Sequence, residues 1–234
     1  MRLIGLLGGT SWPSTIEYYR ILNEMVQQRL GGFHSANLLL RSIDYHDIKS
    51  CYHDDWDEIP LLLETALKDL AGRDPDCILI CNNTLHKAYD LVASRLNLQV
   101  PVIHIIDAVG RAASERGFKR LLLLATKFSM EDGFYAERLK RFGCDVTIPS
   151  ADERGHIQEI QSLLATGQTD ERFRDYFRNL LARYTKVDAV ILGCTELPLA
   201  IGSSEATQPL LNPIELQCAE ALDFAFDRVM NNNR

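Results

Sequence analysis

Asp76-Cys77-Ile78-Leu79-Ile80-Cys81-Asn82-Asn83-Thr84 is followed about 110 residues later by a second stretch of the same plan, Asp188-Ala189-Val190-Ile191-Leu192-Gly193-Cys194-Thr195-Glu196. Each opens on an aspartate, runs on through apolar residues, and ends in cysteine and small polar groups. An apolar run of this kind reads as a parallel strand buried on both faces, and ligands gather outside the carboxyl ends of such strands. Two copies imply two related halves. The expectation is an α/β fold of two similar doubly wound parallel-sheet domains, with the active site in the cleft between them.

The repetition spreads outward from these strands. Ile4-Gly5-Leu6-Leu7-Gly8-Gly9-Thr10 is echoed by Leu121-Leu122-Leu123-Leu124-Ala125-Thr126-Lys127, and Val100-Pro101-Val102-Ile103-His104 by Gln208-Pro209-Leu210-Leu211-Asn212. Strands are predicted at 3–7, 36–42, 77–80, 102–105, 120–125, 145–148, 189–192 and 209–211. Between them, helical periodicity covers 14–30, 58–72, 84–96, 108–116, 131–142, 157–165, 171–184 and 214–230. Strand–helix alternation of this kind points to parallel sheets with helices on both faces. The halves are placed at 1–116 and 117–234, and the last helix is able to pack on either one.

The 234 residues suffice for two such halves, and 46% hydrophobic residues supply a core. Acidic residues outnumber basic ones 32 to 25, a formal charge of −7 that argues against nucleic-acid or anionic-membrane partners. The opening Met1–Gly9 is too short for a signal peptide's apolar region, and no apolar run reaches membrane-spanning length. A cytoplasmic protein with six reduced cysteines is therefore expected.

Chemistry concentrates at the strand ends. Gly8-Gly9-Thr10-Ser11 joins the first strand to a helix; it reads either as an anion-binding loop or as a tight turn capped by Ser14. Asn82, Asn83, Thr84, Thr195 and Glu196 offer hydrogen-bond partners after the two repeated strands, and Thr126 and Ser129 after the second half's first strand. Read singly, Thr84 and Thr195 are helix caps; recurrence in both halves favours a shared polar cleft. Cys194, at a strand end beside a helix N-terminus, is the expected proton carrier, with a lowered thiol pKa. Cys77, Cys144 and Cys218 read as inert core residues. His86, on the first turn of a helix, either tunes a neighbour or is a partly exposed cap residue. His46, Cys51, His53, Asp54 and Asp55 lack the paired spacing of a zinc site and read as an acidic solvated loop, so no metal is expected.

Together these motifs resemble the aspartate/glutamate racemase family. Gly8-Gly9-Thr10 with Ser14-Thr15, Asn83-Thr84-Leu85-His86, Leu123-Leu124-Ala125-Thr126 and Gly193-Cys194-Thr195-Glu196 carry the resemblance across nearly the whole chain. It implies a two-domain, cofactor-independent enzyme, usually dimeric, acting on a small amino acid. A thiolate and a thiol flank the α-carbon, one removing the proton and the other returning it to the opposite face. The family segment reads Cys-Asn-Thr-x-His, but four residues before His86 stands Asn82, and Cys81 lines up with Gly193. Asparagine has no proton to exchange near neutral pH. Some family members carry threonine at this position, and the context here is closest to that branch. The second catalytic position is thus either Asn82, with an ordered water opposite Cys194, or Cys81 turned inward by a bulge. Gly9, Thr10, Ser11, Asn83, Thr84, Thr126, Ser129, Thr195 and Glu196 would bind the substrate and His86 would support them. Arg41, Lys87 and Lys127 are the cations available for a side-chain carboxylate.

Three functions fit these residues: a racemase of aspartate, glutamate or a close relative; a single-cysteine isomerase or decarboxylase of the same superfamily; and a carboxylate-binding protein without catalysis.

Overall fold

Strand β1 (Ile4–Gly8) pairs in parallel with β2 (Leu38–Ser42) on one side and β3 (Cys77–Ile80) on the other, and Val102 adds a parallel bridge to Ile78 beyond β3. In the computed structural model, which describes residues 1–52 and 55–231, this sheet belongs to a unit formed by Met1–Ile105 and the chain from Gln217 onward. Helices α1 (Trp12–Leu30), α2 (Tyr45–Lys49), α3 (Ile59–Ala71) and α4 (Leu85–Leu96) connect the strands. Leu7, Ile78 and Ile80 pack on Leu63, Leu67 and Leu70 of α3 and on Ala88 and Val92 of α4. Ile4, Leu6, Cys77 and Leu79, on the alternate face, are equally buried, so both faces are covered. That is why these strands read as unbroken apolar runs.

The second unit, Ile106–Leu216, repeats the plan. Its sheet has the order β5 (Asp145–Thr147), β4 (Arg120–Leu124), β6 (Ala189–Leu192), β7 (Leu210–Leu211), all parallel. Helices α5 (Ile105–Glu115), α6 (Lys127–Glu131), α7 (Phe134–Leu139), α8 (Ala151–Ala165) and α9 (Glu171–Leu181) complete it. Helix α10 (Pro213–Asn231) starts in this unit and continues in the first.

The repeat extends to individual hydrogen bonds. Asp76 Oδ2 accepts from Leu3 N at 2.8 Å, as Asp188 Oδ2 does from Arg120 N at 2.8 Å. Pro101 O accepts from Ile78 N and Pro209 O from Val190 N, both at 2.9 Å. The aspartates that open the repeated stretches thus bond the first-strand amide next door, and the prolines bond the strand beside them.

Several predicted elements change. The strand expected at 102–105 shrinks to the single Val102 bridge because α5 already begins at Ile105. The helix expected at 131–142 is interrupted at Gly133, whose φ of +90° is left-handed, giving α6, α7 and a final 3₁₀ turn. Helix α8 starts at Ala151 and not 157, because Ser150 and Glu153 form a reciprocal capping box. Helix α1 starts at Trp12 with Pro13 in its first turn, so Ser14 lies buried inside it and is not its cap. Among the described residues no helix is long and apolar enough to cross a membrane.

Candidate active site

In the first unit the loop after β1 and the loop after β3 are stitched together. Thr10 Oγ1 donates to Cys81 O at 3.3 Å, and Asn82 Nδ2 donates back to Thr10 O at 2.9 Å. Asn82 Oδ1 accepts from Leu85 N at 3.0 Å, fixing the amide at the start of α4. Gly9 is obligatory: at φ +85° an added Cβ would lie 2.1 Å from Ile43 O. Gly9 N donates to Thr15 Oγ1 at 2.9 Å, and Thr15 Oγ1 donates to Ser11 O at 3.3 Å, so α1 holds the glycine loop in shape. Asn83 and Thr84 form the next turn, their carbonyls accepting from His86 N and Lys87 N. Tyr45, at the start of α2, donates its hydroxyl to that of Tyr52 at 2.8 Å.

His86 is fully buried, not the partly exposed cap residue that its position suggested as one possibility. Its ring packs on His104 with centroids 4.3 Å apart, and its Nε2 faces Gln217 Nε2 at 3.5 Å. Gln217, from α10, also donates to Ile103 O at 2.6 Å and accepts from the Tyr18 hydroxyl.

In the second unit the Cys194 thiol donates to Glu196 Oε2 at 2.7 Å, and Thr195 Oγ1 donates to the same oxygen at 2.9 Å. Gly193 leaves little room: a Cβ there would stand 3.0 Å from Ala125 Cβ and 3.3 Å from Leu124 O. At the neighbouring strand end Thr126 caps α6, accepting from Ser129 N at 3.3 Å and donating to Ser129 Oγ at 3.1 Å.

The units can be aligned on their backbone. Cys81 N donates to Leu7 O at 3.0 Å, and Gly193 N donates to Leu124 O at 2.7 Å. Ile80 sits beside Leu7 and Leu192 beside Leu124 in the two ladders. One residue further on, Asn82 and Cys194 occupy equivalent stations.

The family model described as Asp/Glu/Hydantoin racemase matches residues 7–221. The chain belongs to that family. Among solved structures, a Yersinia pestis protein described as a candidate Asp/Glu racemase is 34% identical, with a TM-score of 0.89 over 97% of this chain and 100% of that one. An aspartate racemase homologue from Pyrococcus horikoshii is 30% identical, with a TM-score of 0.86 over 96% and 99% of the two chains. A glutamate racemase from Actinobacillus pleuropneumoniae serotype 3 is 29% identical over 144 residues, 59% of this chain and 54% of that protein. The chain thus matches about half the length of the glutamate racemases it resembles.

Within this racemase-family fold the expected lowering of the Cys194 pKa is reversed. Burial first, then the Glu196 charge and its hydrogen bond, push the thiol well above its ordinary value. The backbone amides of Thr195 and Glu196 pull the other way and lose. Cys81 is 0% exposed and its thiol is driven up by burial, whereas Asn82 is partly exposed. Cys77, also buried, is pushed up to about 12. Two of the three basic candidates are already engaged: Arg41 with Asp69 at 2.6 Å, and Lys87 Nζ above the Trp56 ring at 4.7 Å. Lys127 is exposed, and its backbone amide donates to Gln158. Among the described residues no group of three His, Cys, Asp or Glu side chains could hold a metal ion; His53 and Asp54 lie outside the described residues. Sequence reasoning missed Tyr45, Tyr52 and Gln217. For Tyr45 the available signal was Asp44, which caps α2 by accepting from His46 N at 2.9 Å.

Proposed function

We propose that this chain is a cofactor-independent racemase of a small acidic amino acid, aspartate or glutamate, in which Cys194 moves a proton at the α-carbon. The observation that carries this reading is the Cys194–Glu196 pair at the end of β6. A neutral thiol in contact with a carboxylate is a proton carrier in its acid form with an acceptor in place. When the thiol proton passes to Glu196, the thiolate left behind takes the α-hydrogen and the C–H electron pair stays on carbon. The reverse movement delivers the proton. The names of the relatives support the substrate class, and the family match supports the reaction. Gly9, Thr10, Ser11, Asn83, Thr84, Thr126, Ser129 and Thr195 supply the amides and hydroxyls for the substrate's carboxylates, with His86 behind them.

A second reading, one-sided proton exchange by a single-thiol enzyme, is favoured by Asn82 standing where a second thiol would. One experiment separates the two. The protein is incubated with L- and D-aspartate and L- and D-glutamate in D₂O, alongside Cys194→Ala and Cys81→Ala. Proton NMR follows loss of the α-hydrogen, and chiral chromatography follows inversion. Exchange with inversion that disappears in Cys194→Ala supports the racemase. Exchange with retention supports the one-sided enzyme, and no exchange of any of the four acids overturns both for these substrates.

A further inference from the structure

The Cys194–Glu196 contact depends on the backbone between the two residues, and that backbone lies in a loop. Between β6 and β7 the chain holds one regular feature, the 3₁₀ turn Leu197–Leu199. Leu197 N donates to Cys194 O at 3.3 Å and Leu199 N to Glu196 O at 3.0 Å, so the turn carries both partners. Leu197, Ala200 and Ile201 are buried, and the far end of the turn is tied to α9, where Arg174 Nη2 donates to Leu199 O at 3.2 Å.

Glu205, later in the same loop, completes the tie. Its side chain is 2% exposed, and a buried carboxylate is stable only with partners on its oxygens. Gly202 N donates to Oε2 at 2.8 Å and Ser204 Oγ to Oε1 at 2.9 Å. Arg174 Nη1 lies 3.7 Å from Oε2 and Arg178 Nη2 3.5 Å from Oε1, the two arginines standing one turn apart on α9. The Gly202 amide first, then Ser204 and the arginines, hold the carboxyl below its ordinary value against the pull of burial, and so keep it ionised. Glu171 and Asp175 also face these arginines, but both are exposed, so Glu205 is the acid that joins loop to helix. Phe177 and Leu180, fully buried, fix α9 itself.

We propose that Glu205 and Arg174 are positioning residues, which hold the turn in the shape that keeps the Glu196 carboxylate on the Cys194 thiol. This rests on the reading of Cys194 as the proton carrier, and every residue in it belongs to the Ile106–Leu216 unit. Releasing either residue frees the turn, Glu196 leaves the thiol, and the charge that opposes ionisation recedes. Both substitutions therefore act in one direction, although one deletes a negative charge and the other a positive one. A through-space effect of charge alone would give opposite signs.

The test is Glu205→Gln and Arg174→Gln in the full chain, each made alone and on a Glu196→Gln background, and each checked for folding by circular dichroism. Alkylation of the Cys194 peptide by iodoacetamide is followed as a pH profile by mass spectrometry, with the buried Cys144 of the same unit as the control for general loosening. Both single variants are expected to quicken Cys194 by about threefold at pH 7.5, with Cys144 unchanged. On the Glu196→Gln background neither is expected to add anything, because the group they position is already neutral. Opposite signs, an unchanged rate, a gain that persists without the Glu196 charge, or equal quickening of Cys144 overturns the proposal. Absence of α-hydrogen exchange in the wild type would overturn the proton-carrier reading instead, and the alkylation series still decides whether Glu205 and Arg174 hold the pair.

Discussion

Cys194 and Glu196 form a hydrogen-bonded pair: the thiol donates to Oε2 across 2.7 Å, and Thr195 Oγ1 donates to the same oxygen at 2.9 Å. The carboxylate charge therefore opposes thiolate formation as long as it stays ionised. Glu196→Gln removes that charge, so the Cys194 pKa should fall and the thiolate fraction at neutral pH should rise. Alkylation of the Cys194 peptide by iodoacetamide, followed by mass spectrometry, is expected to quicken about tenfold at pH 7.5. An unchanged rate would mean that burial alone sets this thiol.

Gly9→Ala should be severe. The added methyl meets Ile43 O in a left-handed backbone position, and neither atom can move without opening the β1–α1 turn. A loss of about 3 kcal/mol is expected in urea unfolding read at Trp12 or Trp56, both of which lie in the first unit.

Gln217→Leu keeps the volume of the side chain and deletes its amide. The Tyr18 hydroxyl then loses this acceptor, and Ile103 O its 2.6 Å donor, inside a buried network. About 2–4 kcal/mol of stability should disappear from the first unit, measured by amide hydrogen exchange in α4.

Glu153 makes the second unit sensitive to acid. Burial works against its ionisation, yet hydrogen bonds from Tyr184, Arg183 and Ser150 hold it down to about 2, against an ordinary 4.5. Because the folded pKa is depressed, its contribution is complete above the ordinary glutamate range and vanishes as the pH falls towards 2. The stability gap between wild type and Glu153→Gln should therefore be constant above about pH 5 and close between 4.5 and 2. Hydrogen exchange in α8 reads it. A gap that persists at pH 2 would assign the effect to packing.

What the sequence makes legible follows from what decides each feature. The core strands are readable because burial on both faces writes them as apolar runs, and the paired aspartates give their register. That register also aligns Asn82 with Cys194 in the repeat, and the backbone hydrogen bonds give the same equivalence. Boundaries set by single side chains are harder: the Ser150–Glu153 box starts α8 in a polar stretch with no apolar rhythm, and Gly133 cuts a pattern that otherwise continues. The Cys194 pKa is illegible for another reason. A thiol beside backbone amides reads as acidic, but burial first, and then Glu196 folding back over two residues, push it up instead, and both belong to three-dimensional packing. Tyr45 hides in a five-residue helix too short to show periodicity.

Helix α10 leaves one unit for the other between Leu216 and Gln217, and Gln217 anchors His86 from the far end of the chain. Order of synthesis follows from this. Ile106–Leu216 is continuous and can fold as soon as it clears the ribosome, whereas the unit that holds Met1–Ile105 must wait for residues that follow Leu216. A premature stop just before Gln217 would leave the continuous unit whole and the other unfinished.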